Sequence, residues 1–184
     1  MKTKLINKKI HYDGSQLRSL FAYLDHGLLG DSGIAFRGSC DVSFAHMVDG
    51  EDLLEQSRIC GKDMLHFIFE IFDQNLFTGV LWQRLFAAIV AAAVEEQCGK
   101  RLQRSGDDLY LGKKKFSISI ATRSPNSTMI HYAVNISNEG TPVPTLALSD
   151  LKLDFKKFAK TCLEHAEAEF SSIRNATMKV RAVP

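Results

Sequence analysis

Residues 104–120 read RSGDDLYLGKKKFSISI, and this stretch decides the kind of fold that the chain can form. Two glycines interrupt it at positions typical of turns, and short runs rich in apolar residues stand beside them. The pattern predicts strands over 108–111 and 115–122, and a third strand over 128–137 follows a Ser-Pro-Asn turn. Consecutive strands joined by such short turns are typical of an antiparallel sheet.

The segments on either side of these strands predict one further long strand and two helices. Residues 64–72 (MLHFIFEIF) are rich in aromatic and branched side chains, which favours a strand. Residues 76–97 are apolar over most of their length and are followed by Cys98-Gly99, so we predict a long buried helix. Residues 154–173 carry apolar side chains on one broad face, which predicts an amphipathic helix.

The N-terminal third predicts shorter elements, namely strands over 4–12 and 33–37, a helix over 16–24 and a short acidic helix within 48–58. Strands and helices do not alternate regularly, which argues against a doubly wound parallel sheet. We therefore predict a single α+β domain over residues 1–184. Its sheet is expected to be mixed but mainly antiparallel, and to be packed by a long central helix and a C-terminal helix.

The composition favours a folded domain and gives no sign of nucleic-acid binding. Hydrophobic residues make up 45% of the 184 residues, which is enough for a core, and the formal net charge is only +2. A DNA-binding protein would be expected to show a strong basic excess or patch, and we expect no DNA-binding module.

The cysteines and the N-terminus bear on the compartment. The four cysteines form no CxxC pair, which argues against a zinc ribbon. The first 14 residues are basic, but no apolar segment follows them, so we expect no export signal, a cytoplasmic location and reduced thiols. The longest apolar run, at 85–94, predicts no membrane span because it is short.

Several segments resemble the catalytic core of biotin protein ligases. Residues 106–120 are similar to the ligase segment K-W-P-N-D-L-Y, which a turn and K-[LI]-[AS]-G-I follow. Residues 130–136 (IHYAVNI) resemble the strand ending in N-[LIV]-N that these ligases place beside the active site, and lipoate ligases and octanoyltransferases have related strands. The whole chain also resembles domain-of-unknown-function family 366. The resemblance implies a biotin/lipoate ligase-like fold.

The resemblance also implies roles for individual residues. Lys115 matches the ligase lysine that contacts the acyl carboxylate and the adenylate phosphate, and an ammonium group stabilises negative charge during such a transfer. Asp107 and Asp108 match the N-D positions near the ligand, where carboxylates could bring Mg²⁺ to a nucleotide. The alternative is a solvated lysine hairpin tip beside a turn that the aspartates form.

Residues on the neighbouring strands complete the predicted site. Ser117 offers a hydroxyl to a polar ligand, and the resemblance implies that His131 takes part in catalysis and that Asn135 binds the ligand. His66 and Glu70 are four residues apart and point to one strand face, so they could transfer protons or hold a metal. A hydrogen-bonded core histidine is the alternative for His66.

The chain departs from the ligases in the loop that closes over the adenylate. Biotin ligases have the arginine-rich loop GRGRRG there, whereas residues 36–42 of this chain read FRGSCDV. Arg37 and Gly38 are therefore the predicted contacts to phosphate or carboxylate. Downstream, Asp49 and Asp52 are candidate ligands for a divalent cation together with His66. Alternatively, the two aspartates only complement a helix N-terminus.

Three functions stay open at this point. The first is an enzyme that transfers an acyl or adenylyl group, with ATP or an adenylate and Mg²⁺ as cofactors and an acceptor protein as partner. The second is a non-catalytic domain that binds a small-molecule ligand, which the reduced arginine loop favours. The third is a metal-dependent enzyme with an Asp/His cluster. We also expect a homodimer, because the edges of such sheets often pair between chains.

Overall fold

The computed structural model describes residues 1–73 and 75–183, which form a five-stranded sheet, a small three-stranded sheet and α-helices. In chain order the elements are β1 (Lys2–Ile6), α1 (Phe21–His26), β2 (Ser32–Asp41), α2 (Gly50–Glu55), β3 (Cys60–Ile71), α3 (Leu76–Cys98), β4 (Gln103–Ser105), β5 (Asp108–Leu111), β6 (Lys114–Lys115), β7 (Ser117–Arg123), β8 (Thr128–Asn135) and α4 (Phe155–Met178). A single 3-10 turn, Phe44–His46, lies between β2 and α2.

The large sheet has the strand order β1-β2-β3-β8-β7. The pair β1–β2 is parallel, whereas β2–β3, β3–β8 and β7–β8 are antiparallel. The predicted α+β class with a mixed, mainly antiparallel sheet is therefore confirmed. The small sheet, in the order β4-β5-β6, adds an antiparallel hairpin beside the end of β7.

The alternation along β3 divides the molecule into two layers. Leu65, Phe67 and Phe69 are fully buried on the face that α3 and α4 cover, where they join the larger apolar core. Their neighbours Met64 and His66 point to the opposite face, because successive strand residues alternate. That second face is covered by the N-terminal segment and α1 rather than by long helices, and it contains the cavity described below.

The central helix α3 packs closely against the sheet. Phe86 and Val90 are fully buried, and a side chain at Gly79 would place its Cβ 2.0 Å from a methyl carbon of Thr128. By length and composition alone α3 could cross a membrane, and half of its most apolar stretch is buried inside the fold. The helix extends the run at 85–94 on both sides, and the absence of a membrane span stays a prediction. Helices that form a protein core meet the same criterion.

The strand predicted over 115–122 is divided between the two sheets. Lys115 pairs with Tyr110 in the small sheet, whereas Ser117 pairs with Val134 in the large one. Phe116 lies between them with its side chain fully buried, and its N–H donates to the carbonyl of Leu109 at 2.8 Å. This change of partner sheet brings Lys115 to the edge of the cavity.

Two N-terminal elements, β1 and α1, are shorter than predicted, whereas β2 (Ser32–Asp41) is longer than the strand expected over 33–37. The strand expected over 4–12 ends at Ile6, and the helix expected over 16–24 begins only at Phe21. Leu20 adopts a left-handed conformation with φ 63°, and its N–H donates to the carboxylate of Glu70 at 2.9 Å. This hydrogen bond to β3 holds the chain out of the helix until the next residue.

Candidate functional site

A cavity of about 510 Å³ opens on the sheet face that α3 and α4 do not cover. Its floor is formed by β3, β7 and β8, and its rim by α2 with the segment before it, the β5–β6 hairpin and the loop at residues 141–145. Volumes of roughly 300–1,000 Å³ are usual for small-molecule sites. Eight of the predicted site residues line this cavity: Asp49, Asp52, Asp107, Asp108, Lys115, Ser117, His131 and Asn135.

Lys115 and Asp108 form an ion pair at the cavity rim. The Nζ of Lys115 lies 2.8 Å from Oδ2 of Asp108. The two side chains are partly buried, with 31% of Lys115 and 24% of Asp108 exposed. The hydroxyl of Tyr110 donates to the same carboxylate oxygen at 3.1 Å. The hairpin register that places Lys115 opposite Tyr110 therefore fixes the ammonium group and its counter-ion together.

Asp107 is held by α3 and β7 rather than left free for a ligand. Its Oδ2 accepts hydrogen bonds from Ser119 at 2.6 Å and from Gln83 at 2.9 Å, and Arg84 lies 3.3 Å from Oδ1. Gln83, which is nearly fully buried on α3, also donates to the hydroxyl of Ser119 at 2.8 Å. Sequence patterns gave no sign of Gln83, because its role depends on a contact between helix and sheet.

Ser117 acts as a support for the hairpin. It is 2% exposed, and its Oγ accepts the N–H of Leu109 at 3.0 Å. This hydrogen bond ties β7 to β5 just beside the Lys115–Asp108 pair. The predicted ligand contact by Ser117 is thus accompanied by a structural role that the sequence did not indicate.

His131 and His66 form a buried pair on the cavity side of the sheet. Nδ1 of His66 lies 3.1 Å from Nε2 of His131, and the ring of Tyr12 stacks on His131 with 3.8 Å between centroids. Burial lowers the pKa of His66 to about 3 and that of His131 well below its usual value, so both rings are neutral at pH 7. Of the two, only His131 is part of the cavity wall.

The predicted His66/Glu70 pair is not formed. Glu70 instead accepts hydrogen bonds from the hydroxyls of Ser19 and Ser127, at 3.1 and 2.7 Å, and from the N–H of Leu20. The two side chains share a strand face, as the spacing requires, but Glu70 is used to anchor the N-terminal segment and the β7–β8 turn.

The acidic segment at the rim has two different parts. Asp49 is the N-cap of α2 and accepts the N–H groups of Glu51 and Asp52 at 2.8 and 3.3 Å, which is the capping role that the sequence left open. Asp52 is half-buried, and its pKa is raised by burial and by Asp49, although Lys115 across the cavity lowers it. Among residues 1–73 and 75–183, no three His, Cys, Asp or Glu side chains converge as metal ligands, so Asp49, Asp52 and His66 are not brought together.

Arg37 and Gly38 lie outside the cavity, contrary to the prediction. Arg37 points to the helix-covered face, where it forms a bidentate ion pair with Asp63 at 2.5–2.6 Å and stacks over Phe155 at 4.9 Å. Gly38 allows the backbone of Ile10, and not a ligand, to approach closely, because a Cβ there would lie 1.7 Å from the carbonyl oxygen of Ile10. The wrong assignment arose because one step along a strand reverses the direction of a side chain.

Asn135 is the last residue of β8 and is 6% exposed. The alternation of β8 puts it on the same face as His131, and it contributes to the cavity wall. Its backbone carbonyl accepts from Leu148, but its side-chain amide makes no hydrogen bond to any residue in the described ranges. An amide that lines a cavity and has no protein partner leaves its donor and acceptor available to a polar ligand.

The sequence matches the family described as a domain of unknown function (DUF366) over residues 1–181. The chain belongs to the DUF366 family. A relative in Methanocaldococcus jannaschii, "Uncharacterized protein MJ0805", is 32% identical over 152 residues, which cover 79% of this chain and 68% of the relative. A solved structure, "Protein of Unknown Function from Pyrococcus horikoshi", is 37% identical with a TM-score of 0.96, and the match covers 100% of this chain and 99% of the other.

The DUF366 fold is also similar to that of ligases. The biotin protein ligase of Aquifex aeolicus, solved in complex with biotin and ATP, has a TM-score of 0.65 and 13% identity, with 94% of this chain and 72% of the ligase covered. At this identity the likeness shows the fold alone. The predicted membership of family 366 and the predicted biotin/lipoate ligase-like fold are thus confirmed, whereas the homodimer, the acceptor protein and the cytoplasmic location stay predictions.

Proposed function

We propose that the cavity binds a small molecule with a carboxyl or acyl group, and that this DUF366 protein transfers the acyl or an adenylyl group. The ammonium group of Lys115 would stabilise the negative charge that develops during the transfer. The observation that carries the proposal is the convergence of Lys115, Asp108, His131 and Asn135 on one cavity, in a fold that biotin and lipoate protein ligases share. Sites are assigned by side-chain chemistry, and the fold only raises the expectation.

The ammonium group of Lys115 is suited to a charge that develops during transfer. In the resting protein it is neutralised by Asp108, and Tyr110 holds that carboxylate in place. A carboxylate or phosphoryl oxygen that enters the cavity would share the ammonium with Asp108, so that the positive charge is already oriented when negative charge grows. Asp108 is thereby a positioning residue for Lys115 in this mechanism.

His131 would act as a hydrogen-bonding group and not as an acid. Its ring is neutral at pH 7, because burial lowers its pKa, and Nε2 is occupied by His66. The neutral ring can therefore orient a ligand. The amide of Asn135 supplies one donor group and one acceptor to the same ligand.

Nucleotide binding is expected to need Mg²⁺ in this cavity. The two cationic side chains of its wall, Lys115 and Arg58, are paired with Asp108 and Asp41, while Asp49, Glu51 and Asp52 add negative charge. A bare triphosphate would be repelled, whereas its Mg²⁺ complex carries less negative charge. The excess of carboxylates in the cavity wall also favours the second candidate, a non-catalytic domain that binds a small molecule without nucleotide.

The test compares Lys115→Ala with Lys113→Ala, a more exposed lysine of the same turn. Thermal unfolding is followed with ATP, biotin, lipoate, octanoate and acyl-adenylates, with and without Mg²⁺. A ligand at one hundred times its Kd stabilises by about 2.7 kcal/mol. Lys115→Ala is expected to weaken acid or adenylate binding by about tenfold, which is about 1.4 kcal/mol, and Lys113→Ala to leave it unchanged.

Turnover separates the two candidates. Adenylation of an acid by ATP releases pyrophosphate, so exchange of labelled pyrophosphate into ATP reports the reaction. Exchange that depends on the acid and on Lys115 supports the transferase. Acid binding without exchange supports the non-catalytic domain, and equal affinity of the Lys115→Ala and unsubstituted proteins removes Lys115 from the site.

A further inference from the structure

The wall of the cavity is more negative than a site for acids alone requires. Five carboxylate side chains contribute to it: Asp49, Glu51, Asp52, Asp107 and Asp108. They face two cationic side chains, of which Arg58 lies 3.2 Å from Asp41 and Lys115 lies 2.8 Å from Asp108. Both cations of the wall are therefore already committed to carboxylates.

Asp52 is the half-buried carboxylate without a partner. Asp107 is neutralised by Arg84 and two hydrogen bonds, and Asp49 is occupied as the N-cap of α2. Within the described residues, the carboxylate of Asp52 accepts no hydrogen bond and has no cation within 4.0 Å. A half-buried charge that is left unpaired costs free energy, and a cationic ligand would remove that cost.

Asn135 provides the second observation, and it is independent of the acidic residues. It lies on β8, at the floor of the same cavity, whereas Asp52 belongs to α2 at the rim. The residue is more than nine-tenths buried, and its side-chain amide makes no hydrogen bond to any described residue. An amide and a carboxylate that line one cavity and both lack protein partners point to a polar ligand that contacts both.

We infer that the ligand of this cavity carries a protonated amine, which binds to the carboxylate of Asp52 while the amide of Asn135 hydrogen-bonds an adjacent polar group. The inference rests on the proposed function in one respect only, namely that both use the same cavity. Together they describe a ligand with an amine at Asp52 and an acidic group at Lys115, two residues of the same cavity wall.

The experiment uses three probes of equal chain length: n-hexylamine, n-hexanol and n-hexanoate. Their binding to the full chain is measured by calorimetry at pH 7.5, for the unsubstituted protein and for Asp52→Asn. The control is Glu55→Gln, because Glu55 lies on the same helix α2 but is exposed and outside the cavity wall. Asp52→Asn keeps the shape of the side chain and removes only its charge.

We expect hexylamine to bind at least tenfold more tightly than hexanol, since a charge-assisted hydrogen bond is stronger than a neutral one. Asp52→Asn should weaken hexylamine binding by about tenfold and leave hexanol unaffected, and Glu55→Gln should change neither. Asn135→Ser is expected to leave hexylamine binding unchanged, because hexylamine carries no second polar group for the amide of Asn135. Equal binding of hexylamine and hexanol, or an unchanged affinity in Asp52→Asn, would overturn the inference.

Lys115→Ala makes this result distinguishable from the test of the proposed function. Removal of the ammonium opposite Asp52 should strengthen hexylamine binding, whereas it should weaken binding of hexanoate and of adenylates. If the acids bind and the amine does not, the amine site is wrong and the proposed function stands. If the amine binds through Asp52 and no acid or adenylate binds, the proposed function is wrong and the amine site stands.

Discussion

Acidification is expected to unfold this protein through the buried pair of His66 and His131. Both rings are neutral in the folded state, because burial lowers the pKa of His66 to about 3 and that of His131 well below its usual value. In the unfolded chain both have pKa values near 6.5. The unfolded state therefore binds more protons below pH 6.5, and stability that is fully present above that pH is lost as the pH falls toward 3.

The size of the effect follows from these values. For one imidazole whose pKa is about 3 when folded and 6.5 when unfolded, a change from pH 7.5 to pH 5.0 lowers the free energy of unfolding by about 2 kcal/mol. His131 adds to this loss in the same direction, because burial also lowers its pKa. A loss of about 2 kcal/mol from His66 alone is a substantial part of the roughly 5–15 kcal/mol that is typical of a domain.

Urea unfolding at a series of pH values between 7.5 and 5.0 measures this loss. His66→Gln should reduce the dependence on pH, because it removes one buried imidazole. His165→Gln, at a half-exposed position on α4, is the matched control. Histidine ring resonances in NMR spectra give a direct second measurement that does not require a variant to fold. Titration of the His66 or His131 resonances with a midpoint near pH 6.5 would refute the reasoning.

Two further predictions concern packing. Gly38→Ala should destabilise the protein by about 3 kcal/mol in urea unfolding, because the new Cβ would meet the carbonyl of Ile10. Gly50→Ala is the control and should be neutral, because the new Cβ there meets no other atom. Equal effects of the two substitutions would show that the chain at Ile10 moves freely. Phe86→Ala should cost roughly 3–5 kcal/mol, since its fully buried ring packs on Phe67 and Phe69, and Leu54→Ala, at an 87% exposed position, should cost less than about 0.5 kcal/mol.

Most of the fold could be predicted because its long elements have strong local patterns. The apolar sequence of α3 and the aromatic run of β3 each extend over many residues, and both elements were predicted to within a few residues of their ends. The first 30 residues were predicted less well. Leu20 leaves the helix because Glu70, fifty residues away, captures its N–H, and no local pattern contains that information.

The same distinction explains which site residues were found. Lys115, Asp108, His131 and Asn135 meet at one cavity because the β5–β6 hairpin and strand β8 both border it, and the resemblance of these segments to the ligases was visible in sequence. Arg37 is different, since its role depended on a loop that here continues as strand β2. Once the chain is a strand, the neighbour of a cavity-facing residue must point to the helices, and Arg37 accordingly pairs with Asp63.

The ion partners of the site explain why its chemistry could not be inferred from residue types alone. In sequence, Lys115 is a cation expected to attract an anion, and Asp107 and Asp108 are equivalent neighbours. In the fold, Asp108 neutralises Lys115, while Asp107 is bound by groups of α3 and β7, so the two aspartates have different roles. Asp52 is then the carboxylate left facing the cavity without a partner. The charge that a ligand meets is thus set by which side chains are already paired, and this pairing argues for a ligand that brings its own positive charge.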